Sequence, residues 1–191
     1  MDYTKWKAGL TPNRLMSSEN SLFKKIIQAV VPVLLSIAAI FIAVIITTVF
    51  HILFAPLSDP FPQELLANAD PLGKIDVMNS FMEANPYAVY TAIIAHGMGA
   101  FAGVLFATRT INAYDRKYNI DRPTWIGPLL VAGMWMYMDI EQDLNLAPIG
   151  STWMTIDVLA TAALSFLAYF LAGGARKSLK AKRPTRVNRK R

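Results

Sequence analysis

Long stretches of this chain carry no charged side chain. No Asp, Glu, Lys or Arg lies between Lys25 and Asp59, between Glu83 and Arg109, between Arg122 and Asp139, or between Asp157 and Arg176. A bilayer core takes about 20 apolar residues as a helix, with about 17 to 25 being usual. The pattern predicts an all-α polytopic membrane protein with four transmembrane helices, over residues 26–54, 86–108, 123–140 and 152–174. The first is longer than the hydrocarbon requires, which predicts tilt or protrusion. The third is short. The fourth reaches full length only by including Asp157.

The segments between these spans differ in character. Residues 56–86 contain Pro56, Pro60, Pro62, Pro71 and Pro86, yet Leu72, Ile75, Met78, Phe81 and Met82 recur at helical spacing. This predicts an interfacial amphipathic helix lying on the outer leaflet. Ahead of the first span, residues 1–23 form a polar cytoplasmic segment in which Tyr3 and Trp6 suit the interface. Ser21 is the expected cap of the first helix, and Pro32 falls early enough to kink it slightly. The first apolar run begins only after Lys24 and Lys25 and is too long for a signal core, so it reads as an uncleaved span. The domain plan is therefore residues 1–23, a transmembrane domain over residues 24–175, and a basic cytoplasmic tail over residues 176–191.

Composition agrees with a membrane location. Of 191 residues 54% are hydrophobic and 17% charged, against about 25% charged in a soluble domain. With no Cys, disulfides, thiolate metal sites, iron–sulfur clusters and Cys nucleophiles are excluded.

The net charge of +6 hides a marked asymmetry. Successive segments outside the spans carry five, one, four, zero and nine Lys or Arg residues. This alternation places both termini in the cytoplasm of a bacterial inner (plasma) membrane. Acids follow the opposite pattern, with Asp59, Glu64, Asp70, Asp76 and Glu83 in one outer segment and Asp139, Glu141 and Asp143 in the other. Arg176, Lys177, Lys180, Lys182 and Arg183 follow the last span directly, so the expected partner of the tail is anionic lipid head groups rather than nucleic acid. Trp125, Trp135, Tyr137 and Trp153 fall near span ends, as interfacial aromatics do.

Within the spans, three features carry candidate chemistry. Ala95, Gly99, Gly103 and Ala107 form an i,i+4 stripe on the second span, which lets another helix backbone approach closely. That helix belongs either to the same chain or to another membrane subunit or second copy. His96 lies beside the stripe, about ten residues into the span and near mid-membrane. It is open to three readings: a neutral His bonded to a neighbouring helix, a proton or cation site, or a ligand of haem or pigment in the room beside Ala92 and Ala100. His51 is expected at a different depth, which argues against a bis-His haem. Third, Asp157, His51, Asp139, Glu141 and Asp143 gather at the outer half, either as a cation or proton vestibule or as solvated helix ends favoured by the helix dipole. The cytoplasmic half offers no second intramembrane charge. Met134, Met136 and Met138 read as packing, since no soft co-ligand exists.

No dinucleotide-binding, Walker, nucleophile-elbow or zincin motif occurs. From the first span to Gly174 the chain resembles a loose group of small uncharacterised bacterial four-helix membrane proteins. The likeness rests on His96-Gly97-Met98-Gly99-Ala100-Phe101-Ala102-Gly103 running to Arg109, and on Asn145-Leu146-Ala147-Pro148 with Trp153. The resemblance implies a fold and no activity. The acidic run at Glu141 and the long basic tail depart from it. The expected function is non-enzymatic, that of an accessory or structural subunit packing through its second span. The alternatives are a small transporter or proton/cation-handling protein, and a haem- or pigment-binding subunit; no cofactor is required by the first two.

Overall fold

A computed structural model describes residues 12–57, 59–118, 120–146 and 148–174, the side chains of residues 12–21, Lys24 and Leu146 excepted. The chain is all-α. Six helices follow in order: α1 (Pro12–Phe54), α2 (Gln63–Asn68), α3 (Pro71–Ala84), α4 (Pro86–Tyr118), α5 (Ile126–Glu141) and α6 (Gly150–Leu171). A 3₁₀ turn, Ala55–Leu57, follows α1, and a π-helical turn, Gln142–Leu146, follows α5. By contact density the chain divides into residues 1–34 and residues 35–191. The described part of the first unit is the beginning of α1, where Leu22, Phe23, Ile26, Val30 and Val33 are exposed. All else below concerns the second unit.

Among the described residues, three helices are long and apolar enough to cross a membrane: α1 from Lys25 with its following turn to Leu57, then α4 and α6. The third expected span, α5, is not among them: it has 16 residues, about 24 Å at 1.5 Å each, short of a full hydrocarbon core. Two helices are longer than their apolar runs. The first begins at Pro12, so Ser21 lies inside it and is not its cap. Pro fits a first helical position because its fixed φ suits the helix and its missing N–H has no partner there. The same holds for α4, which opens on Pro86 and continues ten residues past Thr108. Arg116 and Lys117 occupy its last turn, where cations complement the helix dipole.

Polarity is inverted relative to a water-soluble bundle. Phe41 is 65% exposed and Phe166 71%, and Ile45, Leu53, Leu129, Leu159 and Phe170 also face outward. Thirteen polar or charged residues are buried among those described, including Ser36, Thr47, Thr108, Asn112, Thr161 and Ser165. Apolar side chains toward the solvent and polar ones inside are what hydrocarbon selects, since a polar group facing lipid has no partner.

Small residues set how closely these helices meet. A methyl group built on Gly99 would lie 2.8 Å from the Ala43 carbonyl oxygen, and one on Gly103 would lie 2.9 Å from that of Ala39. Ala39 and Ala43 are fully buried and belong to a matching stripe on α1, with Ser36 and Thr47. Thr47 donates a 3.2 Å hydrogen bond to the Ala95 carbonyl. Helices α1 and α4 therefore run antiparallel, residue 39 against 103 and 47 against 95. The other wall is α5, whose Val131 and Trp135 reach Gly103 and Gly99. The Ala95, Gly99, Gly103 and Ala107 stripe is buried inside the chain.

Helix α5 returns the chain between the two ends of α4. A methyl group on Gly127, near its start, would meet the Ile111 side chain, whereas Asp139, near its end, approaches His96. Thr124, just before α5, bonds to the Tyr169 hydroxyl at 2.9 Å and donates to the Gly174 carbonyl at 3.0 Å. Helices α4 and α6 thus run parallel, with α5 opposed to both.

The amphipathic helix expected around Leu72 and Phe81 is α3. Asp70 caps it, accepting from the Gly73 N–H at 2.6 Å, and Pro71 occupies its first position. With α2 it forms a cap whose small core joins Leu66 and Met78 to Phe81, Met82 and Ile149. Asn85 ties the cap to α4: its Oδ1 accepts from the Asp59 N–H at 2.7 Å and its Nδ2 donates to the Phe81 carbonyl at 3.1 Å.

The tight α1–α4 contact predicts that Gly103→Leu, with no room for the added atoms, destabilises the detergent-solubilised protein by at least about 1–3 kcal/mol. Gly133, in mid-α5, has nothing within 4 Å of an added methyl, so Gly133→Ala is expected to be neutral or stabilising by about 0.5–1 kcal/mol. Denaturation curves followed by circular dichroism distinguish them, and equal effects would refute the packing argument.

Candidate functional site

Three of the candidate residues converge beneath the cap. His96 comes from α4, Asp139 from the last turn of α5, and Asp157 from α6; all are buried. His96 Nδ1 and Asp157 Oδ2 share a hydrogen bond at 2.7 Å. The same nitrogen is 3.8 Å from Asp139 Oδ1. One nitrogen and two carboxylate oxygens, one per residue, all lie within 4.8 Å of one another.

Two of the three members are held by a second contact. Trp135 Nε1 donates to the His96 carbonyl at 3.1 Å, fixing the helix turn that carries the imidazole. Thr161, one turn after Asp157 on α6, donates to Asp139 Oδ2 at 3.1 Å. The His51 ring meets the His96 ring edge-on at 5.4 Å between centroids. The expectation that the two His sit at different depths is thereby corrected: α1 and α4 are antiparallel, so the last turn of α1 descends beside the second and third turns of α4.

Asp157 is the eighth residue of α6, past the first turn, where free helix N–H groups would hold an acid. Its Oδ2 is held by His96 instead, and its Oδ1 is buried with no hydrogen-bond partner. Asp143 stands on the π-helical turn, a local widening common at functional sites. Its Oδ2 is likewise buried without a hydrogen-bond partner. Burial and the nearby Asp157 raise its carboxyl from 3.8 to about 7, with His96 acting in the opposite direction. Glu141 does not join the cluster. It is exposed and accepts from the Tyr137 hydroxyl at 3.0 Å and from Asn145 Nδ2 at 2.6 Å.

A cavity of about 650 Å³ opens above the cluster, between the cap and the helix ends. Its walls are mostly apolar, with Phe54, Phe61, Phe81 and Met78 among them, and His51, His96, Asp143 and Asp157 line its floor. This is the size and chemistry of a small-ligand pocket. The room beside His96 for a flat ring lies on the Ala92 side alone, because Ala100 is packed in a core with Ala43 and Trp135.

A second buried charge, which the sequence had not suggested, lies toward the other end of the bundle. Asp115 of α4 is 1% exposed. Arg122 Nε approaches its Oδ1 to 2.9 Å, close enough for an ion pair without the alignment of a hydrogen bond. Between the two ends, Thr161, Ser165, Thr108 and Asn112 are buried. Buried polar groups are thus numerous. Their signal is the i,i+4 row Asp157, Thr161, Ser165 on α6, which continues the face that Asp157 opens. The lipid-binding candidates Arg176, Lys177, Lys180, Lys182 and Arg183 lie outside the described residues.

No protein-family model matches the chain, nor does any curated protein or solved structure compared with it.

The state of Asp143 has a consequence for stability. A carboxyl raised from 3.8 to about 7 in the folded chain keeps a proton that the unfolded chain releases. Its contribution is therefore present at low pH and is lost as pH rises from about 4 through about 7. Asp143→Asn, which cannot ionise, is expected to flatten the fall in thermal midpoint between pH 5 and pH 8 in detergent. Parallel curves for the two proteins would contradict this.

Proposed function

We propose that this chain is a proton- or cation-handling integral membrane protein that takes its ion from the capped face into the His96–Asp139–Asp157 site. The observation that carries this reading is the convergence of an imidazole and two carboxylates from three helices, buried within an apolar-faced bundle. Such groups are rare inside membrane helices because they are costly there, and they mark ion and proton paths. Asp157 lines the cavity and its Oδ1 is buried without a hydrogen-bond partner, which supports the reading. The accessory-subunit role that the sequence favoured draws less support from the small-residue stripe, which packs on α1 and α5.

We read the chain as crossing a bacterial inner membrane four times. Supporting this is the antiparallel course of α5, which runs from the level of Ile111 to that of His96 although it is shorter than a typical span. The alternating distribution of basic residues puts the cap and cavity outside and both termini in the cytoplasm.

Purified protein reconstituted in liposomes, with dyes for internal pH and for divalent cations, tests the reading. The wild type is expected to move protons or a cation, and His96→Ala and Asp157→Asn to lower the rate by at least ~10-fold. Glu141→Gln, at an exposed acid, should leave it unchanged. Flux equal to that of empty liposomes, or undiminished in both site variants, would overturn the reading.

A further inference from the structure

We infer that the His96–Asp139–Asp157 cluster is a binding site for one divalent transition-metal ion, with His96 Nδ1, an Asp139 oxygen and an Asp157 oxygen as ligands. The inference rests on the cation-handling reading and specifies its ion.

The geometry is near what such an ion requires. Around a tetrahedral metal with bonds of about 2.0–2.1 Å, neighbouring ligand atoms are about 3.3 Å apart. The Nδ1 to Asp157 and Nδ1 to Asp139 distances, 2.7 and 3.8 Å, bracket that value. A proton now bridges the shorter pair; a metal taking its place has to move Asp157 outward by about 0.6 Å and Asp139 inward by about 0.5 Å to reach that spacing. The unpartnered Asp157 Oδ1 already provides an oxygen that nothing else holds. Charge points the same way. The carboxyl groups of Asp139 and Asp157 are both buried beside the His96 imidazole. The cavity wall adds Lys74, on the cap. Uncompensated carboxylates in low dielectric are strongly unfavourable, and a divalent ion neutralises two of them at once.

The donor set selects the class of ion. Calcium takes six to eight oxygens, and magnesium prefers oxygen octahedra that keep several waters. One imidazole nitrogen with two carboxylates suits zinc, iron, cobalt or manganese, and the absence of Cys disfavours copper(I). Supporting contacts of the usual kind are present: Thr161 orients Asp139, and Trp135 fixes the turn that bears His96. Three protein ligands leave a coordination position toward the cavity, as in sites where a metal exchanges or meets an outside ligand.

The test uses full-length protein in detergent, stripped with a chelator and titrated with Zn²⁺, Co²⁺, Mg²⁺ and Ca²⁺. Calorimetry and elemental analysis give stoichiometry, and the visible spectrum of bound Co²⁺ reports its ligands. Expected is one Zn²⁺ or Co²⁺ per chain, at least ~100-fold tighter than Mg²⁺ or Ca²⁺. Asp157→Asn and Asp139→Asn should each weaken it by at least ~10-fold, and Glu141→Gln should not. Because the wild-type titration needs no variant, a substitution that fails to fold does not remove the test. Wild-type protein that binds no stoichiometric Zn²⁺ or Co²⁺, or binds Ca²⁺ equally well, overturns the inference. Proton flux that depends on His96 in a protein that binds no metal would overturn the metal site while leaving the proposed function standing. Tight metal binding without any flux would do the reverse.

Discussion

Carboxylates held away from water must be neutralised by whatever lies within reach, and the arrangement around His96 follows from that need. Asp157 and Asp139 come from different helices and turn toward the same imidazole. Asp143 is brought to the same region by the π-helical turn rather than by a continued α-helix. In low dielectric, bringing these groups together is the alternative to leaving each one buried alone, at a cost of several kcal/mol per ion. The helices carrying them are thereby tied at one level: α4 through His96, α5 through Asp139, and α6 through Asp157 and Thr161.

That tie is possible only because the backbones come close enough for short side chains to meet. Asp and Thr reach only a few ångströms, so α4, α5 and α6 have to pack tightly where they cross. Gly99 and Gly103 on α4 and Ala39 and Ala43 on α1 allow this on one side of the bundle. Many of the large apolar residues, Phe41, Leu53, Leu159 and Phe166 among them, lie on the outer surface. Lipid gives helices no hydrophobic reason to associate, so close van der Waals contact along the small-residue stripes and the polar contacts between helices hold the bundle together.

Much of this was legible from the sequence and part was not, for reasons that differ by residue. The charge-free runs located α1, α4 and α6 because hydrocarbon constrains composition directly. The bounds were less visible: nothing stops a helix at Lys25 or Thr108 once it leaves the apolar layer, so α1 and α4 run on through polar sequence. The stripe on α4 was plain, but a stripe does not name its partner. The complementary Ser36, Ala39, Ala43 and Thr47 on α1 had the answer, masked by the large Val, Ile and Phe residues between them. His96 and Asp157 stood out as ionisable groups in apolar surroundings. Their pairing depends on α4 and α6 running parallel, which follows from α5 returning the chain, and α5 was the weakest of the four signals. Asp115 was missed because it lies among Arg116, Lys117 and Arg122, where charge reads as solvated surface.

The two buried charge sites differ in a way that bears on what each does. Asp115 has a guanidinium at 2.9 Å that is always charged, so it is a closed pair with a fixed state. The His96 cluster has acids in excess over permanent cations, an imidazole whose charge can change, and a carboxylate oxygen of Asp157 without a hydrogen-bond partner. It also forms the floor of a cavity large enough for an incoming ligand. On the proposed reading, the His96 cluster would be completed by an additional cation, a proton or a metal. The cap built from α2 and α3 covers the cavity from which that cation would come. The fold thus places its stable ion pair toward one end of the bundle and its unsatisfied one beneath the cap.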